Sequence, residues 1–301
     1  MRGKMKYPKV SIVIVNWDGK RYLEICLPSV FNLNYPNYDV ILVDNGSTDS
    51  SVEFVKRNYP KVKIIRLDKN YGFAKGNNIG IEEALKDTNV KYIALLNNDT
   101  RVDKNWLSEL VKVAESDEKV GMCAPKILRM DNPIIIDSTG AVFKWGSICD
   151  RGRGKVDKGQ YDKKLSIVGA GGGSGLFKRE MLEEIGLFDD DFFAYYEDSE
   201  LIWRAYKEGW KARYVPTSIV YHKGGGTSKK NKEFEREMGF LYARNWARSV
   251  KRHASPIQKF LFILTLVRTT IMSWVGMRIG RNIIGAEPYI NAFKEFFRYK
   301  E

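Results

Sequence analysis

Between Val10 and Leu96 the chain repeats one pattern: a short apolar run ending in polar residues, then a segment with helical spacing. The runs are Val10–Val15, Tyr38–Val43, Val62–Leu67 and Tyr92–Leu96. Strands of a parallel sheet are buried on both faces and read as continuous apolar runs of this kind, and their alternation with helices marks βαβ units. Right-handed crossovers pile such units together, so the expected fold class is α/β, with a mostly parallel central sheet flanked by helices. Ligands of open α/β sheets gather beyond the carboxyl ends of the strands. The polar ends are Asn16-Trp17-Asp18-Gly19, Asp44-Asn45-Gly46-Ser47-Thr48-Asp49 and Asn97-Asn98-Asp99-Thr100. Asn and Asp are turn residues anyway, so each end taken alone reads first as a turn.

The intervening and later segments fill in the order. Lys20–Asn32 reads as a helix kinked or broken at Pro28. Ser50–Asn58 reads as a helix capped by Ser47 or Thr48. Asn70–Gly80 leads into a helix through Leu85, and Asp103–Ser116 is helical. Val120–Leu128 is a strand interrupted at Pro125, and residues 131–166 form a variable loop or short β excursion near the cleft. Glycines crowd Val168–Phe177, where they would let backbone approach a bulky polar ligand or form a bulge. Arg179–Gly186 is a short helix, and Glu197-Asp198 opens another that Gly209 caps. Lys211–Val215 and Ser218–Tyr221 are strands around Pro216, ending at His222.

Four polar clusters thus stand at strand ends or a helix start: Asp44, Asn97 to Asp99, Glu197-Asp198 and His222. Asp44 lies where an open α/β edge holds a nucleoside's base or ribose. One carboxylate with neighbouring amides offers the oxygen ligands that suit Mg²⁺ or Mn²⁺, metals that keep waters and bind substrate phosphates. His222, one of two histidines, is either a structural residue or a neutral ligand completing that sphere. Asp198 is either a charge complementing its helix dipole or a general base whose pKa Glu197 tunes.

These motifs, with Asn70-Tyr71-Gly72-Phe73-Ala74-Lys75-Gly76-Asn77-Asn78-Ile79-Gly80, Glu200, Arg204 and Tyr221, recur in this order in family 2 glycosyltransferases. Over roughly residues 8 to 226 the chain resembles that family, most of all its rhamnosyltransferase-like and galactofuranosyltransferase-like branch. The resemblance implies a GT-A fold, a nucleotide-diphosphate sugar donor, Mn²⁺ or Mg²⁺, and transfer with inversion to a glycan or polyprenyl-linked acceptor. It implies that Val15, Asn16, Trp17, Asp44, Asn45, Gly72, Lys75, Asn77, Asn97 and Asn98 hold the donor. Asp99 and His222 would bind the metal, and Asp198 would be the base. Gly171, Gly172, Gly173, Glu197 and Trp203 would shape the acceptor pocket. The family's Asp-X-Asp position reads Asn97-Asn98-Asp99 here, so coordination leans on Asp99 and His222.

Composition bears on partners. A net charge of +13 favours an anionic one: a nucleotide, a phosphorylated lipid carrier, an anionic membrane surface or nucleic acid. No RNA-recognition, KH or zinc-finger pattern supports nucleic acid. Three scattered cysteines, with no CxxC spacing, point to a reducing compartment and away from a zinc site. Met1–Lys9 is basic and precedes a strand-like run without a small-residue cleavage site, so no secretory signal is read.

After a boundary placed between residues 226 and 227 the chain becomes helical and basic, with Arg244, Arg248, Lys251 and Arg252 ahead of the apolar stretch Ile257–Met277. That stretch could span a bilayer, but Arg268 near its middle would cost about 2.5–3.5 kcal/mol. A helix in the membrane interface or against a second copy is preferred, with a buried helix the alternative. The expected place is the cytoplasmic face of the cell membrane. Two rival functions are a sugar nucleotidyltransferase, which usually carries a Gly-rich phosphate loop where Asn16-Trp17-Asp18-Gly19 stands, and a non-catalytic anion-binding module.

Overall fold

The computed structural model describes residues 7–144, 147–224, 232–278 and 287–299. The first half comprises β1 (Lys9–Asn16), α1 (Lys20–Phe31), β2 (Tyr38–Asp44), α2 (Ser51–Asn58), β3 (Lys63–Arg66), α3 (Gly72–Leu85), β4 (Val90–Asn97), β5 (Thr100–Val102), α4 (Trp106–Ala114) and β6 (Val120–Arg129). Then come β7 (Ile136–Ser138), β8 (Ala141–Lys144), β9 (Ser147–Asp150), β10 (Ser166–Ile167), β11 (Leu176–Lys178), α5 (Arg179–Ile185), α6 (Glu197–Lys207) and β12 (Lys211–His222). Helices α7 (Lys232–His253), α8 (Pro256–Arg278) and α9 (Glu287–Arg298) follow.

Across the large sheet the strands run β3-β2-β1-β4-β11-β6-β12-β10. β3, β2, β1 and β4 are parallel, as are β6 and β12. β11 lies antiparallel between β4 and β6, while β10 and β5 run antiparallel to β12. β7 joins β6, and β8 and β9 form a separate hairpin. The expected α/β sheet, parallel in the main, is what forms. β1 shows why: Ile12 and Ile14 enter a core with Leu23, Leu27, Trp106 and Leu110 of α1 and α4. Val13, on the opposite face, packs with Val43, Ala74 and Ile81 on the α3 side. Both faces are apolar because successive side chains alternate and both sides are covered. Register then levels the strand ends, with Asn16 opposite Asp44 and Val15 opposite Asn97.

Several local expectations change. α1 runs unbroken through Pro28 to Phe31. Pro28 sits in the last turn, so its missing N–H frees only the carbonyl of exposed Glu24, which water can satisfy. Neither Ser47 nor Thr48 caps α2; Asp49 accepts the Ser51 N–H (3.2 Å) and the Ser51 hydroxyl instead. β6 passes straight through Pro125, and Lys211–His222 form one strand rather than two. The irregularity falls within β12, whose register against β6 shifts between Val215 and Ile219, around Pro216. Residues 131–166 hold β7, β8 and β9, tethered by buried Lys126 to Asp157 (2.8 Å) and Asp162 (2.9 Å).

The C-terminal helices share the core. Trp246, Ala247 and Val250 of α7, Phe262 and Leu266 of α8, and Phe296 of α9 belong to one apolar cluster with Leu201 and Trp203 of α6. The Trp246 and Phe262 rings meet edge to face, 4.7 Å apart. The basic residues expected to face lipid headgroups are used internally. Arg248 pairs with Glu295 (2.6 Å), Lys251 donates to the Phe296 carbonyl (2.8 Å), and Arg252 pairs with Asp189. Spacing of four residues from Arg244 to Arg248 to Arg252 sets them on one helical stripe, and Arg248 and Arg252 of it reach α9 and its tail. The boundary between residues 226 and 227 lies outside the described residues, as do Gly225 and Gly226. Among the described residues no helix is long and apolar enough to cross a membrane.

Candidate active site

The strand ends and the segments around them enclose a cleft of about 390 Å³. Its floor is a closed hydrogen-bond network. Asn98 Nδ2 donates to Asn16 Oδ1 (2.8 Å), and Asn16 Nδ2 donates to Asp44 Oδ1 (3.3 Å) and Ser47 Oγ (3.1 Å). Ser47 in turn gives its N–H to Asp44 Oδ2 (3.3 Å). Asp44 is fully buried beneath the cleft and does not line it, contrary to its expected contact with base or ribose. Asn16 is likewise an internal strut, because its register opposite Asp44 points the two polar ends at each other. Val15, Trp17 and Asn45 form the wall instead.

Asn45 fixes the start of α3. Its Nδ2 donates to Asn70 Oδ1 and the Gly72 carbonyl, each at 2.9 Å, and its Oδ1 accepts the Tyr71 N–H. Gly72 lines the cleft at a φ of +87°, and a Cβ there would lie 2.3 Å from the Phe193 carbonyl oxygen, so only glycine fits. Lys75 and Asn77, expected at the donor, are turned away by the helix period. Lys75 pairs with Asp190 (2.6 Å), and Asn77 Nδ2 donates to the Phe73 carbonyl (2.9 Å).

At the next wall β4 ends in Asn97, with Asn98 and Asp99 beside it, and antiparallel pairing of β5 with β12 sets His222 opposite Thr100. His222 Nε2 lies 3.2 Å from Asp99 Oδ1, and Nδ1 lies 2.7 Å from Asp137 Oδ2. Burial of the ring lowers its pKa, but the hydrogen bonds to Asp137 and Asp99 outweigh burial and push it up to about 10. A carboxylate on the non-ligating ring nitrogen is how proteins orient a metal-binding histidine, and Asp137 stands in that place, while an ion at Nε2 would take the place of the proton now shared with Asp99. The Nε2–Oδ1 separation also suits two ligands of one ion, so the residues fit Mn²⁺ or Mg²⁺. Among the described residues no three acidic, histidine or cysteine side chains converge on one point, so a bound ion would draw its other ligands from diphosphate and water.

The opposite wall is the start of α6 and the glycine loop. Asp198 accepts the Ser199 N–H (2.7 Å), and a Cβ at Gly171 would stand 3.2 Å from Asp198 Oδ2. Gly171 thus keeps that carboxylate uncovered. Gly172 and Gly173 also line the cleft, and the Gly173 carbonyl accepts the Asn97 N–H (2.8 Å), stitching the loop to β4. Burial, then the Asp150 carboxylate, raises the Asp198 pKa above the usual carboxylate range. Burial, then Asp198, raises that of Glu197, whose Oε2 is buried without a hydrogen-bond partner. Trp203 does not shape this pocket: it is 4% exposed and packs against Phe143, with ring centroids 4.6 Å apart. Five residues beyond Asp198, it lies some 140° around the helix.

The structure adds residues that sequence reading passed over: Asp137, Asp150 and Arg153 all line the cleft. Arg153 Nη2 pairs with Asp150 (3.0 Å), and its Nε lies 3.7 Å from Asp137. All belong to the aperiodic segment 131–166; strand pairing brings Asp137 and Asp150 to the cleft, and Arg153 follows in the turn after β9.

The sequence model described as "Glycosyl transferase family 2" matches residues 11–186. A poly-beta-1,6-N-acetyl-D-glucosamine synthase of Staphylococcus epidermidis is 24% identical over 219 residues, covering 70% of this chain and 49% of that protein. A low-salt glycan biosynthesis hexosyltransferase of Haloferax volcanii is 24% identical over 202 residues, covering 66% of this chain and 62% of the relative. The chain therefore spans about half of the first and less than two thirds of the second. Neither is by name a rhamnosyl- or galactofuranosyltransferase. A mannosyltransferase of Pyrobaculum calidifontis, solved with GDP-Man and Mn²⁺, superposes with a TM-score of 0.62 at 16% identity, covering 99% of this chain and 89% of that one. The shared architecture is the GT-A fold.

Proposed function

The chain belongs to glycosyl transferase family 2, and on that premise we propose that it moves a sugar, with inversion, from a nucleotide-diphosphate donor to a hydroxyl of a glycan or polyprenyl-linked acceptor. The observation that carries this reading is a pair of carboxylates in different surroundings on the walls of one cleft. Asp99 is held against His222, while Asp198 is held in a pocket that raises its pKa and left uncovered by Gly171. Asp198 takes the acceptor's hydroxyl proton as that oxygen bonds to the anomeric carbon, and the bond from that carbon to the diphosphate breaks. Asp99 and His222 would hold Mn²⁺ or Mg²⁺, which neutralises charge on the leaving diphosphate when bound. Gly72 and Asn45 fix one wall for the donor, and Arg153 offers a cation beside the base.

The test is a thermal shift against UDP-GlcNAc, GDP-mannose and other nucleotide sugars, each with and without MnCl₂. A ligand that binds only the folded state at 100 times its Kd stabilises by about 2.7 kcal/mol. At least one donor should raise the melting temperature, and more so with Mn²⁺. Indifference to every donor would sink the reading.

We further propose that α8 rests on the cytoplasmic face of an anionic membrane, where a polyprenyl-linked acceptor would be found. Ile257, Phe260, Leu264, Val267, Ile271 and Trp274 are exposed at alternating spacings of three and four. Lys259 and Arg268 are the charges among them, and the α8 sequence holds no acid. A stripe at this spacing could also pair with a second copy. Symmetric pairing, however, would give these cations no acidic partner on α8, whereas anionic lipid offers each about 1 kcal/mol. Phe260→Ser with Leu264→Ser should abolish sedimentation with phosphatidylglycerol-containing vesicles and leave the melting temperature nearly unchanged. Wild-type protein that ignores the vesicles and elutes as a dimer would assign the stripe to a second copy instead.

A further inference from the structure

We infer that Asn245, on α7, is a positioning residue of the transfer reaction, clamping the strained turn that aims Asp198. The inference rests on the reading of Asp198 as the base. Immediately before Glu197 and Asp198, Tyr195 and Tyr196 both have left-handed backbones, with φ of +68° and +67°. For bulky L-residues this backbone is strained, and such strain persists only where the surroundings hold it. Tyr196 is also the N-cap of α6, without a side-chain cap hydrogen bond, so local capping by its own side chain does not account for it.

What holds the turn comes from fifty residues downstream. Asn245 is fully buried, and its Nδ2 donates to the carbonyls of Ala194 (3.0 Å) and Tyr195 (2.9 Å). Its Oδ1 accepts Arg244 Nε (3.0 Å), which can only donate, so the amide must face its two hydrogens to the turn. Arg244 Nη2 donates in turn to the Asp191 carbonyl (3.3 Å). The Tyr196 ring lies against Tyr242 and Trp246 of the same helix, at 5.0 and 6.3 Å. A bond to each of two successive carbonyls fixes the peptide planes on either side of Tyr195, and the second of them is also the plane from which the Tyr196 torsion starts. Those torsions set the direction of α6 and therefore the approach of Asp198 to the Gly171 loop. Helix α7 is, on this account, part of the reaction's geometry, although it lies beyond the matched family segment at residues 11–186.

The experiment follows release of nucleoside diphosphate from UDP-GlcNAc or GDP-mannose with MnCl₂, alongside a crystal structure of the variant. Asn245→Ala should lower kcat about tenfold or more, with donor KM and donor thermal shift little changed. In a Tyr195→Gly background, where the left-handed backbone costs nothing, the same substitution should lower kcat much less. That non-additivity is the mark of a shared element. In the crystal the variant's turn should relax to negative φ at one or both tyrosines. Wild-type kcat in Asn245→Ala, additive effects, or an unchanged turn would each overturn the inference. If the alanine variant does not fold, Asn245→Asp, of equal volume, takes its place in all three measurements. Asp198→Asn separates the two claims: an active Asp198→Asn defeats the base reading itself, while an inactive one beside a normal Asn245→Ala defeats only the clamp.

Discussion

Asp198→Asn is expected to lower turnover by about 10²–10⁴-fold, the range a positioned general base supplies, with donor affinity nearly intact. The amide has the carboxylate's shape and can still accept the Ser199 N–H, so the turn and α6 should survive. What is lost is the ability to take a proton. Burial, then Asp150, raises the pKa of Asp198, so the base is half-protonated at a higher pH than the ordinary aspartate value near 3.9. As pH falls through that raised value the base is neutralised, and kcat/KM should fall with it. Asp150→Asn removes the second cause, so the acid limb should move to lower pH. A limb that stays put, or Asp198→Asn with normal turnover, would remove Asp198 from the chemistry. Stability should respond in the opposite sense. A carboxyl whose pKa rises on folding stabilises the protein below its unfolded pKa, and that contribution is lost as pH rises through the folded value. The protein is thus expected to lose some stability over the pH range in which Asp198 becomes competent.

Asp99→Ala and His222→Ala are each expected to remove most of the Mn²⁺-dependent part of donor affinity. With two protein ligands available, loss of either leaves an ion held mainly by diphosphate and water. Asp137→Asn should act more mildly, by about 10–100-fold, because Asp137 orients the ring without facing the ion. Isothermal titration of a donor nucleotide with and without MnCl₂ measures the series. Equal affinities in the two conditions for wild-type protein would mean that His222 is bound to its carboxylates for structural reasons alone.

Much of this was legible beforehand, and for a definite reason. β1, β2 and β4 are buried on both faces, so their apolar runs and polar ends stand out without knowledge of their neighbours. That Asp99, Asp198 and His222 could share one cleft is legible because each stands at an element's edge. Asp44 reads as a cleft residue, and is instead buried beneath it, because a carboxylate at a strand end looks the same whether it faces ligand or neighbour. Its burial depends on Asn16 and Ser47 saturating it, which follows from register. Trp203, Lys75 and Asn77 sit close to site residues along the chain and away from them around a helix. Asp137 and Asp150 belong to short strands with no periodicity, and Arg153 to the turn that follows the second of them, so long-range pairing places all three. The stripe Arg244, Arg248 and Arg252 looked like a lipid-facing charge run, yet Arg248 and Arg252 are spent on Glu295 and Asp189, and buried Asn245 gave no signal among them.

The antiparallel strand β11 has a consequence for how the molecule is made. It is wedged between β4 and β6, with Leu176 paired to both Ala94 and Cys123. Until Lys178 has emerged from the ribosome, β4 and β6 therefore have no common neighbour, and β6 has only β7 beside it, because β12 is still unmade. Three residues close that gap, and they carry the glycine loop's end with them. The wall that leaves Asp198 uncovered is thus completed by the same event that first makes the sheet continuous.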